Sequence, residues 1–302
     1  MTQQVILLDD SGCVTRKPTR RSPIAQLARA AVGGSVLLGS ILAPLANSGE
    51  IRRVEGLEFS TVLVVGSIDV EVAQGDSHEL YLRGDVETLD REPFYVKGDT
   101  LVLGKNTGSW MAKRRDISFK VEMPVLDELE VRGSGDVYIK PFTQDAGDST
   151  EISVDGSGDI KLYEFRGGRL ELRVKGSGDL AAISIEVDEL DTVVKGSGDL
   201  YIKAIQAEEG SFVLSGSGDI GVKQPSFARE VTASSVGSGE IDLEELSCDS
   251  ADIKVVGSGS INIGSVGEML DASILGSGDI RYRGEPEVEK SVIGSGDVRG
   301  RD

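Results

Sequence analysis

The chain has 302 residues, 51 of them acidic and 32 basic, for a formal net charge of −19. Such a balance argues against a nucleic-acid partner, because phosphate contacts need clustered Lys and Arg. With a single histidine, His78, a His-based metal site is excluded, and a Ser-His-Asp triad has only that residue to be built around.

Residues 1–48 read as a signal peptide. Arg16, Lys17, Arg20 and Arg21 precede a mostly apolar stretch, Ala30–Ala46, and a small-residue exit in which Ala46 and Ser48 suit cleavage after Ser48. The stretch is short of the roughly 20 apolar residues that span a bilayer, and an uncleaved anchor is the alternative. Thr19-Arg20-Arg21 with Ile24 is only a faint twin-arginine pattern, interrupted by Pro23, and no cysteine follows the apolar stretch to direct lipoprotein processing. Cleavage would leave 27 basic and 49 acidic residues, a charge of −22. It would also remove Cys13 and leave Cys248 as a lone thiol with no disulfide.

Residues 49–302 read as one β-solenoid domain, irregular to about residue 128 and regular over 129–298. Leu57–Gly75 reads as strand, glycine turn at Gly66, then the alternating strand Ile68-Asp69-Val70-Glu71-Val72. Gln74-Gly75-Asp76-Ser77-His78 reads as a turn, and Phe94–Leu103 as a hairpin about Gly98-Asp99. Trp110, the one tryptophan, sits beside Lys113, Arg114 and Arg115.

From Gly133 onward Gly-Ser-Gly recurs nine times, starting at Gly133, Gly156, Gly176, Gly196, Gly216, Gly237, Gly257, Gly276 and Gly294. A period near 20 residues marks a solenoid, in which each repeat buries its apolar face only by stacking on the next. Two residues before each first glycine stands Val, Leu or Ile, with Ser235 the exception. Four residues after it stand Val137, Ile160, Leu180, Leu200, Ile220, Ile241, Ile261, Ile280 and Val298, and a second apolar position follows two residues later in most repeats. This is the period-2 pattern of a strand with one buried face. Nine residues after the glycine, Phe142, Phe165, Ile185, Ile205, Leu246 and Val266 mark a corner, with Pro225 the exception. The expected coil is strand, glycine reversal, strand and corner, stacked at about 4.8 Å. Each end needs cover against further strand pairing. Residues 76–125 suit one end and Arg299-Gly300-Arg301-Asp302 the other; poorer cover would let coils stack between molecules into oligomers.

Phe59-Ser60-x-Val62, Gly66-Ser67-Ile68-Asp69-Val70-x-Val72-x-Gln74-Gly75 and the array that follows resemble the bacterial "putative auto-transporter adhesin, head GIN domain" family over about residues 55–298. The resemblance implies an all-β fold: a right-handed parallel β-helix, or solenoid, built from two sheets. It further implies export to the cell envelope and a role in adhesion, without the catalytic residues of pectin-lyase-like folds. No translocator barrel follows in this sequence.

Four groups of side chains are candidates for function. The acidic file Asp136, Asp159, Asp179, Asp199, Asp219, Glu240, Asp279 and Asp297, broken by Ser260, would stack carboxylates about 5 Å apart. Either backbone N–H groups of each residue's own glycine turn satisfy it, or it is a ladder for Ca²⁺, which favours clustered carboxylate oxygens. Trp110 with Lys113, Arg114 and Arg115 is either a solvated loop or a site for an anionic glycan or acidic partner. Asp76, Ser77 and His78 are sequence neighbours in a turn, poorly disposed to converge as a triad. Tyr138, Lys161, Tyr201 and Lys203 on the strand faces are the pieces available for carbohydrate chemistry.

The expected molecule is therefore a non-enzymatic adhesin or scaffold of the periplasm, envelope or cell surface, with no cofactor unless calcium. Its partner would be a surface glycan or envelope protein, and it would touch a membrane only if the leader is retained. The alternatives are a carbohydrate-active or carbohydrate-binding periplasmic β-helix and a tethered envelope-signalling component.

Overall fold

A computed structural model describes residues 49–104 and 117–301, together with the backbone of two short paired strands, Leu7–Leu8 and Val14–Thr15. The leader expected over 1–48 otherwise lies outside the described residues, as do Trp110, Lys113, Arg114, Arg115 and Asp302. No helix among the described residues is long and apolar enough to cross a membrane.

The chain is nearly all β and forms a solenoid of about nine turns. The strands before the reversals stack in parallel, with Gly66, Gly133, Gly156 and Gly176 in register and the alignment running on to Gly276 and Gly294. The strands after the reversals form a second parallel ladder, through Val70, Val137, Ile160, Leu180 and Leu200. At the corner Phe142, Phe165, Ile185 and Ile205 pair in a third, shorter ladder. In the middle coils the chain bends there without leaving the sheet, so Ile160–Gly176, Leu180–Gly196 and Leu200–Gly216 are continuous strands.

The reversal works because its glycines have no Cβ. A Cβ on Gly196, whose φ is +126°, would stand 2.4 Å from the Gly176 carbonyl oxygen, and one on Gly198 would stand 2.0 Å from the Gly178 oxygen. The first requirement is conformational as well as steric; the second is steric alone. The space they leave is filled by hydrogen bonds. Ser197 and Gly198 both donate their N–H to the Gly176 oxygen, at 2.9 and 3.1 Å, and the same fork recurs from Ser134-Gly135 to Ser295-Gly296.

Inside, Val131, Val154, Val174, Val194 and Leu214 form one fully buried column. The neighbouring column runs Leu172, Thr192, Phe212 and Ala233, where bulk alternates with room for it. Gly210 stands where the coil before it has Leu190, and a Cβ there would lie 3.1 Å from the Phe212 ring. Buried Thr192 donates its hydroxyl to the Ser211 carbonyl at 2.9 Å. Each apolar side chain contributes about 1.5–3 kcal/mol on burial, while ordering each residue costs about 1–2 kcal/mol. A lone coil, lacking a floor and a ceiling, cannot meet that cost.

The N-terminal end departs from chain order. Thr100–Leu103 pairs in parallel with Thr61–Gly66, and Ser118–Met123 with Asp69–Gln74, so a later segment forms the coil below the first. Antiparallel strands then close its edges. Phe94–Lys97 pairs with Thr100–Leu103, in the hairpin expected about Gly98. Glu79–Gly84 pairs with Ser118–Met123, and Glu50–Glu55 with Glu79–Gly84. The described residues of 76–125 thus supply the expected cover, mostly as regular strands, with Glu50–Glu55 added from outside that range. Between them the helix Val86–Leu89 is capped by Asp85, which accepts from the Thr88 N–H at 2.9 Å. At the opposite end Asp297–Arg301 stacks on Asp279–Arg283, where Arg283 and Arg301 both pair with Glu244.

Two outcomes follow. Gly198→Ala should destabilise the protein by about 1–3 kcal/mol or more, since backbone must shift. Gly98→Ala, whose Cβ would meet nothing within 4 Å at a φ of +59°, should cost about 1–2 kcal/mol; urea unfolding of the two variants measures the difference. Cys248 is buried, and burial, followed by the charge of Asp249, pushes its thiol up to about 12. It should therefore resist alkylation at pH 8 in the native protein and react in denaturant, as read by peptide mapping.

Candidate functional site

The acidic file lies at the start of each strand that leaves a glycine reversal. Its carboxylates accept hydrogen bonds from backbone, but the donor is one coil further on, not in the residue's own turn as expected. The N–H groups of Asp179, Asp199, Asp219 and Glu240 donate to Oδ1 of Asp159, Asp179, Asp199 and Asp219 at 3.0, 2.9, 2.8 and 3.0 Å. Asp136 and Asp159 do the same to Asp69 and Asp136 at 3.3 Å. Stacking sets this direction: the N–H groups of each turn point at the coil below, and an Asp side chain there is short enough to curl up and meet them.

The file starts one coil earlier than the Gly-Ser-Gly motif suggests, at Asp69. Aligning Gly66-Ser67-Ile68-Asp69 with the later turns would have found it, with Ile68 in the place of the second glycine. It is interrupted where Ser260 occurs; there Glu240 instead accepts from Asn262 Nδ2 at 2.6 Å. It resumes with Asp297 N–H on Asp279 Oδ1 at 3.2 Å. Asp297 and Arg299 form an ion pair that holds the Asp297 carboxyl below its usual range. Among the described residues no three His, Cys, Asp or Glu side chains converge as metal ligands. The file presents one carboxylate per coil except at Ser260, with one oxygen of most members already engaged.

Beside it runs a face of different chemistry. Tyr138, Lys161, Ala181, Tyr201 and Gly221 occupy one register row, pointing outward between the buried rows of Val137 and Ile139. Two residues further along their strands stand Lys140, Tyr163, Ile183, Lys203 and Lys223. The structure thus brings together Tyr138, Lys161, Tyr201 and Lys203, and adds three residues that sequence reasoning passed over. The missed signal was the second polar position of the alternating strand. Lys140 and Lys161 lie over the Tyr163 ring, 4.9 and 5.1 Å from its centre, and Lys223 lies 5.1 Å from that of Tyr201. Burial, then the charges of Asp199 and Asp219, push the Tyr201 phenol up to about 12, so it stays a neutral donor; its hydroxyl lies 3.3 Å from Asp199 Oδ2.

The Asp76-Ser77-His78 turn makes no triad. Ser77 donates to Glu79 at 3.3 Å, and the His78 ring meets Phe59 edge-on with centres 4.8 Å apart.

On the other sheet, the outward row Val236, Val256, Leu275 and Ile293 is apolar, with Ile293 67% exposed.

The sequence profile described as "Putative auto-transporter adhesin, head GIN domain" matches residues 58–226 and 184–286. Among solved structures, a protein titled putative lipid binding protein, from Parabacteroides distasonis, is similar over 85% of this chain and 98% of its own, at 28% identity and a TM-score of 0.63. Proteins titled putative adhesin from P. distasonis and Parabacteroides merdae share the fold at the same coverages, each with 20% identity and a TM-score of 0.60. No curated protein is significantly similar to the chain.

The hydrogen bonds of the file make Asp179 a test. Asp179→Ala orphans the Asp199 N–H and should cost about 0.5–1.5 kcal/mol. Asp179→Asn keeps the acceptor and removes a charge from a row of like charges, worth about 1 kcal/mol per close pair in water. It should be neutral or stabilising, and urea unfolding of both variants checks the order.

Proposed function

As the chain belongs to the family described as putative auto-transporter adhesin, head GIN domain, we propose that it is an exported, non-enzymatic adhesive or scaffolding solenoid of the cell envelope. One observation supports this above others: outward side chains repeat in constant register, one per coil, along the sheet faces. Such rows suit an extended polymer lying across several coils. They do not converge on one point, as general acid, base and nucleophile must. The apolar leader over residues 1–48 is in keeping with export, and the net charge of −19 with a surface that repels nonspecific polyanions.

A second reading has an observation of its own. The exposed row Val236, Leu275 and Ile293 is the kind of apolar strip that contacts lipid or a partner protein, and the similar P. distasonis structure is titled putative lipid binding protein. The carbohydrate-active alternative draws on the same Tyr and Lys residues as the adhesive one.

Glycan arrays, polysaccharide-degradation assays and phosphatidylglycerol vesicles separate these readings. Retention of a glycan or envelope protein without chemical change is the expected result. New reducing ends or unsaturated products would favour an enzyme, and sedimentation with vesicles alone would favour lipid. N-terminal sequencing of the protein from its own cells should find a start at Gly49.

A further inference from the structure

The face that runs beside the acidic file has a composition opposite to that of the molecule. Its outward positions from Tyr138 to Lys223 hold four lysines and three tyrosines and no carboxylate, in a chain of net charge −19. Two of these lysines already have a carboxylate: Lys140 pairs with Glu71 and Lys223 with Asp242, both at 3.2 Å. Both of those acids belong to flanking coils. Lys161 and Lys203, in the interior of the face, are exposed and form no ion pair among the described residues. Lys161 instead rests near the Tyr163 ring.

We infer that this face binds an acidic polysaccharide laid across the coils, its anionic groups on Lys161 and Lys203 and its sugar rings on the tyrosines. The inference deepens the adhesive reading and rests on it. Three features of the face select this ligand. The two unpaired ammonium groups stand two coils apart, about 10 Å along the stack, so they call for a polymer with repeated charge rather than a single anion. In the row Tyr138, Lys161, Ala181, Tyr201 and Gly221, Ala181 separates Lys161 from Tyr201 and leaves a shallow step in which a pyranose can lie, while Lys223 and the Tyr201 ring already cover Gly221. The adjoining Asp file has carboxylate oxygens free of the backbone, which accept hydrogen bonds from sugar hydroxyls. Because the file repels any acid group, the polymer's anionic groups must keep to the lysines and turn its hydroxyls toward the file. The face is also the middle of a sheet, paired on both sides, and offers no open edge to an added strand.

The test uses the full-length protein with polygalacturonate, dextran sulfate and uncharged dextran, followed by titration calorimetry at two salt concentrations. Polygalacturonate carries carboxylates and dextran sulfate sulfates, so the pair also tells which acid the face prefers. At least one polyanion should bind, more weakly at high salt, and dextran should not. Lys161→Glu with Lys203→Glu should weaken binding by about tenfold or more, equivalent to about 1.4 kcal/mol, and Tyr201→Ala should weaken it too. The control, Lys175→Glu with Lys195→Glu, makes the same charge change on an exposed row of the other sheet and should leave binding within about twofold, or about 0.4 kcal/mol. If the glutamate pair disturbs folding by circular dichroism, Lys161→Ser with Lys203→Ser replaces it. Equal loss in the test and control pairs, dextran binding as tight as polyanion binding, or no polyanion binding overturns the inference. Capture of a neutral glycan or envelope protein in those cases leaves the adhesive reading standing; failure to retain any glycan or envelope protein removes both.

Discussion

Everything in this fold depends on how closely one glycine reversal sits on the next. The carbonyl oxygen of one coil lies where the Cβ of the following coil would be, at 2.0–2.4 Å for Gly196 and Gly198. That approach is possible only without side chains. It brings the carbonyl within reach of two N–H groups at once, so the reversal becomes a hydrogen-bonded column in its own right. The columns of Val, Leu and Ile then stack at the same pitch, and the core is continuous because the turns are.

The same pitch sets the electrostatics. Carboxylates that follow the turn are forced within about 5 Å of each other, which is unfavourable by about 1 kcal/mol per pair even in water. The fold offsets this by aiming a backbone N–H at most of these carboxylates from the next coil. On the other sheet the offset is by opposite charge: Arg169 reaches Glu189 and Asp191 of the following coil, and Arg173 reaches Glu151 of the preceding one. Surface pairs of this kind are individually worth about 0–1 kcal/mol. Their regular recurrence serves to keep like charges from accumulating along a rod. Neither device operates at Lys161 and Lys203, which are exposed and form no ion pair among the described residues.

Much of this is legible in the residues. The nine Gly-Ser-Gly repeats place the reversals, and the apolar positions two before and four after each first glycine mark the buried columns. The Asp file is visible too, but not which backbone N–H groups its carboxylates meet. Nothing local to Gly-Ser-Gly-Asp tells whether its carboxylate turns back on its own amides or forward to the next coil. Asp69 was hidden because Ile68 replaces a glycine, and the Tyr–Lys face because its row-mates are 20 to 23 residues apart in consecutive coils and 40 apart in alternate ones.

A repeating coil, its glycine corners and its inward residues can be read from the residues alone, because a period of about 20 records a structural unit copied end to end, and alternation within it records one buried face. The order of the coils in space emerges only in the folded molecule. Thr100–Leu103 and Ser118–Met123 slip beneath the strands that precede them in the chain, since an uncovered edge will pair with whatever compatible strand can reach it. Only the structure, likewise, gathered Tyr138, Lys161, Tyr201 and Lys203 on one face. Neighbours across a parallel ladder are a full winding apart along the chain, and where no recurring residue type marks their row, as the aspartates mark theirs, the stacking alone shows which strand-face residues adjoin.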